Sequence, residues 1–216
     1  MNPHLDFLLS GAYAHSTLHP EHLGDLRKSG LSDETINNQK IRSVPPDMID
    51  RLLGFEAPRV RHAYVIPFAH PRGGWMNHVR LKIFPGYEDR RGNTVKYLGP
   101  RGAAPRLFFP IVTLEPVCHG DAPLYVVEGA KKALSVAQLG RSAVGFEGVE
   151  CWHEAGSRAL LSDFDYLRLR GRTVELVPDG DVRTNPNVTR AVERFVDALQ
   201  ARGATVRVVL LPAVAA

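Results

Sequence analysis

Three carboxylates in the sequence have types and a spacing that suit metal-dependent chemistry. Glu128 follows the apolar run LYVV, while Asp179 and Asp181 follow the apolar run TVELV with one glycine between them. In an extended segment, residues i and i+2 point the same way, so both aspartates can aim at one point. Carboxylate oxygens are the ligands that Mg²⁺ or Mn²⁺ prefers. Two such ions about 3.5–4 Å apart support in-line phosphoryl transfer.

The Asp-Gly-Asp sequence also has a simpler interpretation, because such a tripeptide after a strand is often only a polar turn. Its pairing with Glu128-Gly129 after an earlier strand favours the metal site. In an open parallel sheet, the ligand crevice lies at the carboxyl ends of the strands. We therefore predict that Glu128, Asp179 and Asp181 are metal ligands.

The elements that must position these residues alternate between strands and helices from residue 122 onward. Helical spacing of apolar residues begins at Ala130 and ends at Gly140, and a weaker helical pattern covers 156–169. Asn185-Pro186 is typical of a helix start, and Gly203 of a helix end. Strands are predicted at 124–127, 143–146, 173–177 and 206–211. This alternation predicts parallel pairing with right-handed crossovers.

The first half of the chain has a different pattern. Residues 20–55 predict short helices, with a break at Gly30 and a helix start at Ser32. Residues 60–112 contain the strand-like runs AYVIPFAH, NHVRLKIF and TVKYLGP, separated by turn sequences. We predict a small antiparallel sheet with basic residues on its strands and turns.

Composition limits the class of protein. The 216 residues are 44% hydrophobic, which suffices for one core and a small partner domain. A net charge of +4 is compatible with a polyanionic partner. Two cysteines form no disulfide framework and favour a reducing cytoplasm. No apolar run is long enough to span a bilayer, so we expect a cytoplasmic protein without membrane contact.

The segment 124–211 resembles a Toprim domain, which is shared by bacterial-type primases, topoisomerases, small nucleases and recombination mediators. Its hallmarks are a Glu-Gly after the first strand and an Asp-x-Asp after a later one, which Glu128 and the two aspartates match. The resemblance implies that Glu128 is an acid/base or metal ligand and that the aspartates hold the metal. Many replicative primases carry an acidic residue four positions after the glutamate, where this chain has Lys132. Lys131-Lys132 instead resembles the Toprim-like domain of plasmid and phage primase-helicases.

The resemblance continues upstream and favours primases over the other Toprim families. LRKSGLSDETINNQKI, AYVIPFAHPRGGWMNHVRLKIF and VKYLGPRGAAPRLFFP resemble segments of the primase catalytic core. On that match, Arg80 and Lys96 face template and nucleotide, where basic side chains contact phosphates. Tyr97 and Trp75 either stack on bases or pack in the fold. The further candidates for nucleic-acid or nucleotide binding are Lys82, Arg101, Arg106, Lys131 and Lys132.

The resemblance implies an α/β fold. A Toprim domain with a mainly parallel sheet spans 116–216, a small helical and antiparallel-β basic subdomain spans 20–115, and an N-terminal arm spans 1–19. It implies a primase-type nucleotidyltransferase, that is, a DNA-directed RNA polymerase that makes short primers. The expected partners are single-stranded DNA, nucleoside triphosphates, and a replicative helicase or another replication protein in plasmid- or phage-type replication. Two alternatives stay open: a Toprim metal-dependent nuclease and a non-catalytic nucleic-acid-binding accessory.

Two other sets of polar residues lie close together in sequence, and no catalytic or metal-binding function is predicted for them. His15, His19 and His22 lie close together, but no cysteine accompanies them and their spacing fits no common zinc pattern. Asp163 and Asp165 precede the third predicted strand of the parallel sheet. We expect both aspartates at the surface.

Overall fold

The computed structural model describes residues 17–90 and 92–211, with the backbone but not the side chain of Asp181. The chain divides into two compact units between Ala103 and Ala104. Among the described helices, none is both long and apolar enough to cross a membrane.

The first unit contains a four-stranded antiparallel sheet and three α-helices within its described residues. The helices are α1 (Pro20–Lys28), α2 (Asp33–Asn38) and α3 (Pro46–Leu53), and the strands are β1 (Arg42–Val44), β2 (His62–Ala69), β3 (Trp75–Glu88) and β4 (Thr94–Leu98). The strand order is β1-β2-β3-β4, and each neighbouring pair is antiparallel. The Ser32 side chain accepts from the backbone N–H of Thr35, which confirms the predicted start of α2.

One face of this sheet packs against α3. The cluster includes Leu52 and Leu53 from α3 and Leu81 and Ile83 from β3. Successive side chains of a strand point to opposite faces. The even-numbered residues of β3 from 78 to 84 therefore project from the other face, where the basic candidates of this strand lie.

The second unit is built on a four-stranded parallel sheet. Its helices are α4 (Leu114–His119), α5 (Ala130–Ala137) and α6 (Pro186–Ala201), and its strands are β5 (Leu124–Glu128), β6 (Ser142–Phe146), β7 (Thr173–Val177) and β8 (Thr205–Val208). The order is β6-β5-β7-β8 with every pair parallel. The Asn185 side chain caps α6 by accepting from Asn187 N–H. The predicted α/β fold with a parallel sheet is confirmed.

The segment between β6 and β7 differs from its prediction. Instead of a helix over 156–169, it forms turns and a short 3₁₀-helix, Ser162–Tyr166. Asp165 is exposed as expected, but the surface position expected for Asp163 is wrong, since that residue is only 1% exposed. Arg106 Nε and Nη2 donate to the Asp163 carboxylate at 2.8 and 2.6 Å, and the backbone N–H of Leu107 donates to it at 2.8 Å. This carboxylate also raises the pKa of Arg106.

We expect Asp163→Ala to lower the free energy of unfolding by about 3 kcal/mol, because it leaves Arg106 and the buried N–H of Leu107 without their acceptor. Urea unfolding followed by circular dichroism measures the change. The matched control is Asp165→Ala, since Asp165 pairs with Arg202 at the surface with a side chain 65% exposed. The control should lose less than about 1 kcal/mol. Equal losses for the two variants would contradict a structural role for Asp163.

Candidate catalytic site and basic face

Parallel strand pairing brings two of the predicted carboxylates together. Strand β5 lies between β6 and β7, so the carboxyl ends of β5 and β7 share one edge of the sheet. Glu128 is the last residue of β5, and Asp179 follows β7 by two residues. The backbone N–H of Asp179 donates to Oε2 of Glu128 at 3.2 Å. The two residues therefore meet as the sequence predicts.

A glycine lets the chain turn directly from β5 into α5. Gly129 has φ +96°, a conformation that other residues rarely adopt, and its N–H donates to the carbonyl of Phe146 at 2.8 Å. The close fit extends to β6, where a Cβ at Gly145 would lie 3.1 Å from the Gly129 carbonyl oxygen and 3.3 Å from Phe108 Cβ. Phe108 and Gly145 also exchange two backbone hydrogen bonds of 2.8 Å. Helix α5 thus begins at Ala130, one residue after Gly129, which connects it to Glu128.

The first turn of α5 places the positively charged side chain of Lys132 at the site. Lys132 Nζ donates to Oδ1 of Asp179, and both side chains are about half exposed, at 46% and 47%. From sequence, Lys131 and Lys132 are predicted to contact nucleic acid, and this ion pair was not predicted. The residue type at this position gave a partial indication of a different role, because many replicative primases carry an acidic residue where this chain has Lys132.

Asp181 lies in a 3₁₀-helix, Gly180–Arg183, and not in an extended segment. Asp179 lies between β7 and this helix, so the two aspartates do not share one continuous extended segment. The Asp181 side chain is outside the described part of the structure. Its role as a metal ligand stays a prediction.

The donor set at the site fits one hard divalent ion. Among the described side chains, no group of three or more His, Cys, Asp or Glu residues is placed to hold a metal. Glu128 and Asp179 supply two carboxylates, and Mg²⁺ is commonly held by one or two carboxylates together with waters and substrate phosphates. Lys132 already engages one oxygen of Asp179. The described residues thus suit a single ion completed by substrate.

In the first unit, Arg80 and Lys82 lie on the face of the sheet opposite α3. A Cβ placed at Gly99 would lie 2.7 Å from Arg80 Nη1, so the missing side chain of Gly99 makes room for the guanidinium. Lys82 is only 9% exposed, and its ammonium lies 4.5 Å from the ring centre of Phe84 and 5.5 Å from that of Tyr97. Lys82 thus supports Tyr97 by a cation–π contact. A contact of Lys82 with nucleic acid stays a prediction.

The remaining basic candidates have different surroundings. Lys96 and Arg101 are exposed, and the Arg101 guanidinium lies 5.8 Å from the centre of the Phe55 ring. Arg106, in the second unit, is engaged by Asp163. Of the basic candidates in the first unit, Lys96 and Arg101 are accordingly the two that are exposed.

Comparison with known proteins gives two kinds of match. Residues 115–215 match a sequence family described as "Domain of unknown function (DUF3854)". The zinc-binding and RNA polymerase domains of the Aquifex aeolicus primase have a TM-score of 0.62 at 16% identity. The DnaG primase catalytic domain bound to single-stranded DNA has 0.62 at 19%, and the DnaG catalytic core has 0.63 at 19%. The fold is that of a DnaG primase catalytic core.

Each structural match covers nearly all of the present chain but a smaller share of the solved structure. The present chain is covered to 96%, 97% and 96% by the three structures. It spans 55% of the Aquifex aeolicus chain and 74% and 72% of the other two. No curated protein sequence matches it. The likeness to DnaG cores, all below 20% identity, therefore shows the fold and leaves the activity to be argued from the site.

A histidine cluster in this DnaG-like fold includes His62, which the local sequence pattern of His15, His19 and His22 does not reveal. His22 Nε2 lies 2.8 Å from His62 Nδ1, and His22 Nδ1 lies 2.7 Å from Ser43 Oγ. His19 joins the cluster, with a ring centre 5.7 Å from that of His22. His15, the third histidine of the sequence pattern, lies outside the described residues. Burial and the neighbouring His62 and His19 lower the pKa of His22 to about 4.

We expect stability to fall as pH drops from 6.5 to about 4, because the unfolded chain protonates His22 at its ordinary pKa of 6.5 while the folded chain resists until about 4. The slope from this residue is at most about 1.4 kcal/mol per pH unit. Urea unfolding at several pH values measures it, and His22→Gln should flatten the profile. The matched control is His119→Gln, which removes an exposed histidine and should keep the slope. A profile unchanged by His22→Gln would contradict the neutral buried state.

Proposed function

We propose that this chain is the catalytic core of a primase-type nucleotidyltransferase. It joins nucleoside triphosphates into short primers on single-stranded DNA, in the presence of Mg²⁺ or Mn²⁺. The observation that carries the proposal is the junction of Glu128 and Asp179 at the carboxyl edge of a parallel sheet within a DnaG-like fold. Ligand sites of open α/β sheets form at this edge.

In this proposal the carboxylates bind the metal ion, and the basic side chains position a carboxylate or bind phosphate. Glu128 and Asp179 hold a divalent ion, with Asp181 as the proposed further ligand. When bound, such an ion neutralises the charge that develops on the transferred phosphoryl group. Lys132 keeps the Asp179 carboxylate in place through their ion pair. Arg80 and Lys96 contribute phosphate contacts to template or nucleotide, which supply affinity without reading sequence.

The proposed setting is plasmid- or phage-type replication, since Lys131-Lys132 resembles the Toprim-like domain of primase-helicases from those sources. A replicative helicase or another replication protein is the proposed partner. One of the structures that share the fold is a DnaG primase catalytic domain bound to single-stranded DNA. That relative supports single-stranded DNA as the template for this chain.

We expect the purified chain to make short labelled products from single-stranded DNA, nucleotides and Mn²⁺ or Mg²⁺. Asp179→Ala combined with Asp181→Ala should lower product formation at least about 100-fold, because the loss of metal ligands removes several kcal/mol of transition-state stabilisation. Gel electrophoresis of the products measures the yield.

The matched control is Asp165→Ala combined with Asp197→Ala, which removes the same charge from two exposed positions of the second unit. This control should keep full activity. Loss of the template itself, dependent on Asp179 and Asp181, would replace the primase proposal by the nuclease alternative. Products that persist in the site variant would refute the assignment of the site.

We expect both Gly99→Ala and Arg80→Ala to weaken binding of single-stranded DNA about 3–10-fold, because the methyl group of the new alanine would displace the Arg80 guanidinium. Thermal stability should change little, since the displaced group is the end of a flexible side chain. Fluorescence anisotropy with a labelled oligonucleotide at fixed salt measures the affinity. The control is Gly24→Ala, where an added Cβ meets nothing within 4 Å. If Gly99→Ala binds DNA as tightly as the control, Arg80 is not a nucleic-acid contact.

One observation favours a second function. The ion pair of Lys132 with Asp179 occupies a carboxylate that catalysis requires, and this is compatible with a nucleic-acid-binding accessory that has the DnaG-like fold without turnover. Metal-independent DNA binding with neither primer synthesis nor template cleavage would support that alternative. The two functions therefore separate in the same synthesis and binding assays.

A further inference from the structure

The candidate site contains a positively charged side chain, that of Lys132, beside its carboxylates. Asp179 is held from two directions: its backbone N–H donates to Glu128, and its Oδ1 accepts from Lys132. Lys132 belongs to the first turn of α5, which begins directly after Glu128-Gly129. The ammonium is therefore attached to the same strand–helix junction that supplies the first carboxylate.

A carboxylate that bridges two metal ions commonly offers one oxygen to each of them. An ionised aspartate has two oxygens, and in Asp179 one of these is taken by the lysine. Lysine brings a compact positive charge on a tethered stem, so it competes at a high effective concentration for this oxygen. The same oxygen is poorly available to a second ion.

Electrostatic repulsion acts in the same direction. A second divalent ion beside Asp179 would lie within a few ångströms of the Lys132 ammonium, and like charges at that distance repel even at a partly exposed site. The two described carboxylates and one ammonium leave a single negative charge among them. Such a group attracts one divalent ion more readily than two.

We infer that Lys132 takes the place of a second metal ion, so that the site binds one divalent cation per chain. The inference rests on the metal site of the proposed function. In this arrangement Lys132 is a positioning residue, since it acts through the Asp179 carboxylate. Position 132 therefore decides how many metal ions the site accepts.

Manganese binding by the full chain tests this inference without any reaction. Free Mn²⁺ is counted by electron paramagnetic resonance during titration, and a Glu128→Gln/Asp179→Asn variant corrects for ions bound elsewhere. We expect one ion per wild-type chain and two ions for Lys132→Asp, which replaces the ammonium with a carboxylate. Lys132→Met should still bind one ion, about fivefold more tightly, because the nearby positive charge is gone.

The matched control is Lys131→Met, which removes the same charge from the neighbouring helix position and should keep one ion with an affinity within about twofold of wild type. Circular dichroism without metal checks the folding of each variant. Lys132→Met keeps the inference testable if Lys132→Asp does not fold, because unchanged or weaker Mn²⁺ affinity in Lys132→Met would overturn it.

Two ions in the wild-type chain, or one ion in a folded Lys132→Asp variant, would also overturn the inference. Primer synthesis by a chain that binds two ions would leave the proposed function intact and remove only this inference. One ion with the expected dependence on Lys132, but no synthesis, would remove the primase proposal and keep the inference. The absence of any Mn²⁺ binding would remove the metal site from both.

Discussion

The hydrogen bond from the backbone N–H of Asp179 to Oε2 of Glu128 joins the ends of two parallel strands. It exists because β5 pairs with β7 in a fixed register, in which Val127 lies opposite Val177. A shift of that register by one residue would turn every side chain of one strand to the other face of the sheet. The buried residues of both strands oppose such a shift, so the position of the candidate site is set by the packing of the sheet.

Much of the parallel-sheet unit could be predicted because its signals are local. Runs of apolar residues marked its strands, and the Asn185 cap marked the start of α6. The predicted helix over 156–169 was wrong. Its buried apolar residues have helical spacing, but Leu160 lies in an isolated β-bridge, Leu161 precedes the 3₁₀-helix and Phe164 lies within it. Burial of Asp163 depends on Arg106, 57 residues away in sequence, and no local pattern reveals such a partner.

The candidate site was predictable only to the level of strand ends. Glu128 and Asp179 could be paired from sequence because parallel strands end at a common edge. The ion pair of Lys132 with Asp179 depends on the distance between the first turn of α5 and the segment after β7. Sequence patterns do not give that distance. The same holds for His62, which is 40 residues from His22 in sequence and meets it only in the folded chain.

A Cβ at Gly145 would lie closer to the Gly129 carbonyl oxygen and to the Phe108 side chain than most Cβ atoms lie to their neighbours. An alanine there would press on the peptide that leads from Glu128 into α5. The mutational tolerance of this chain should therefore be low at position 145. In a screen for altered activity, substitutions at 145 would resemble changes at the candidate site, although they act through the backbone of Gly129.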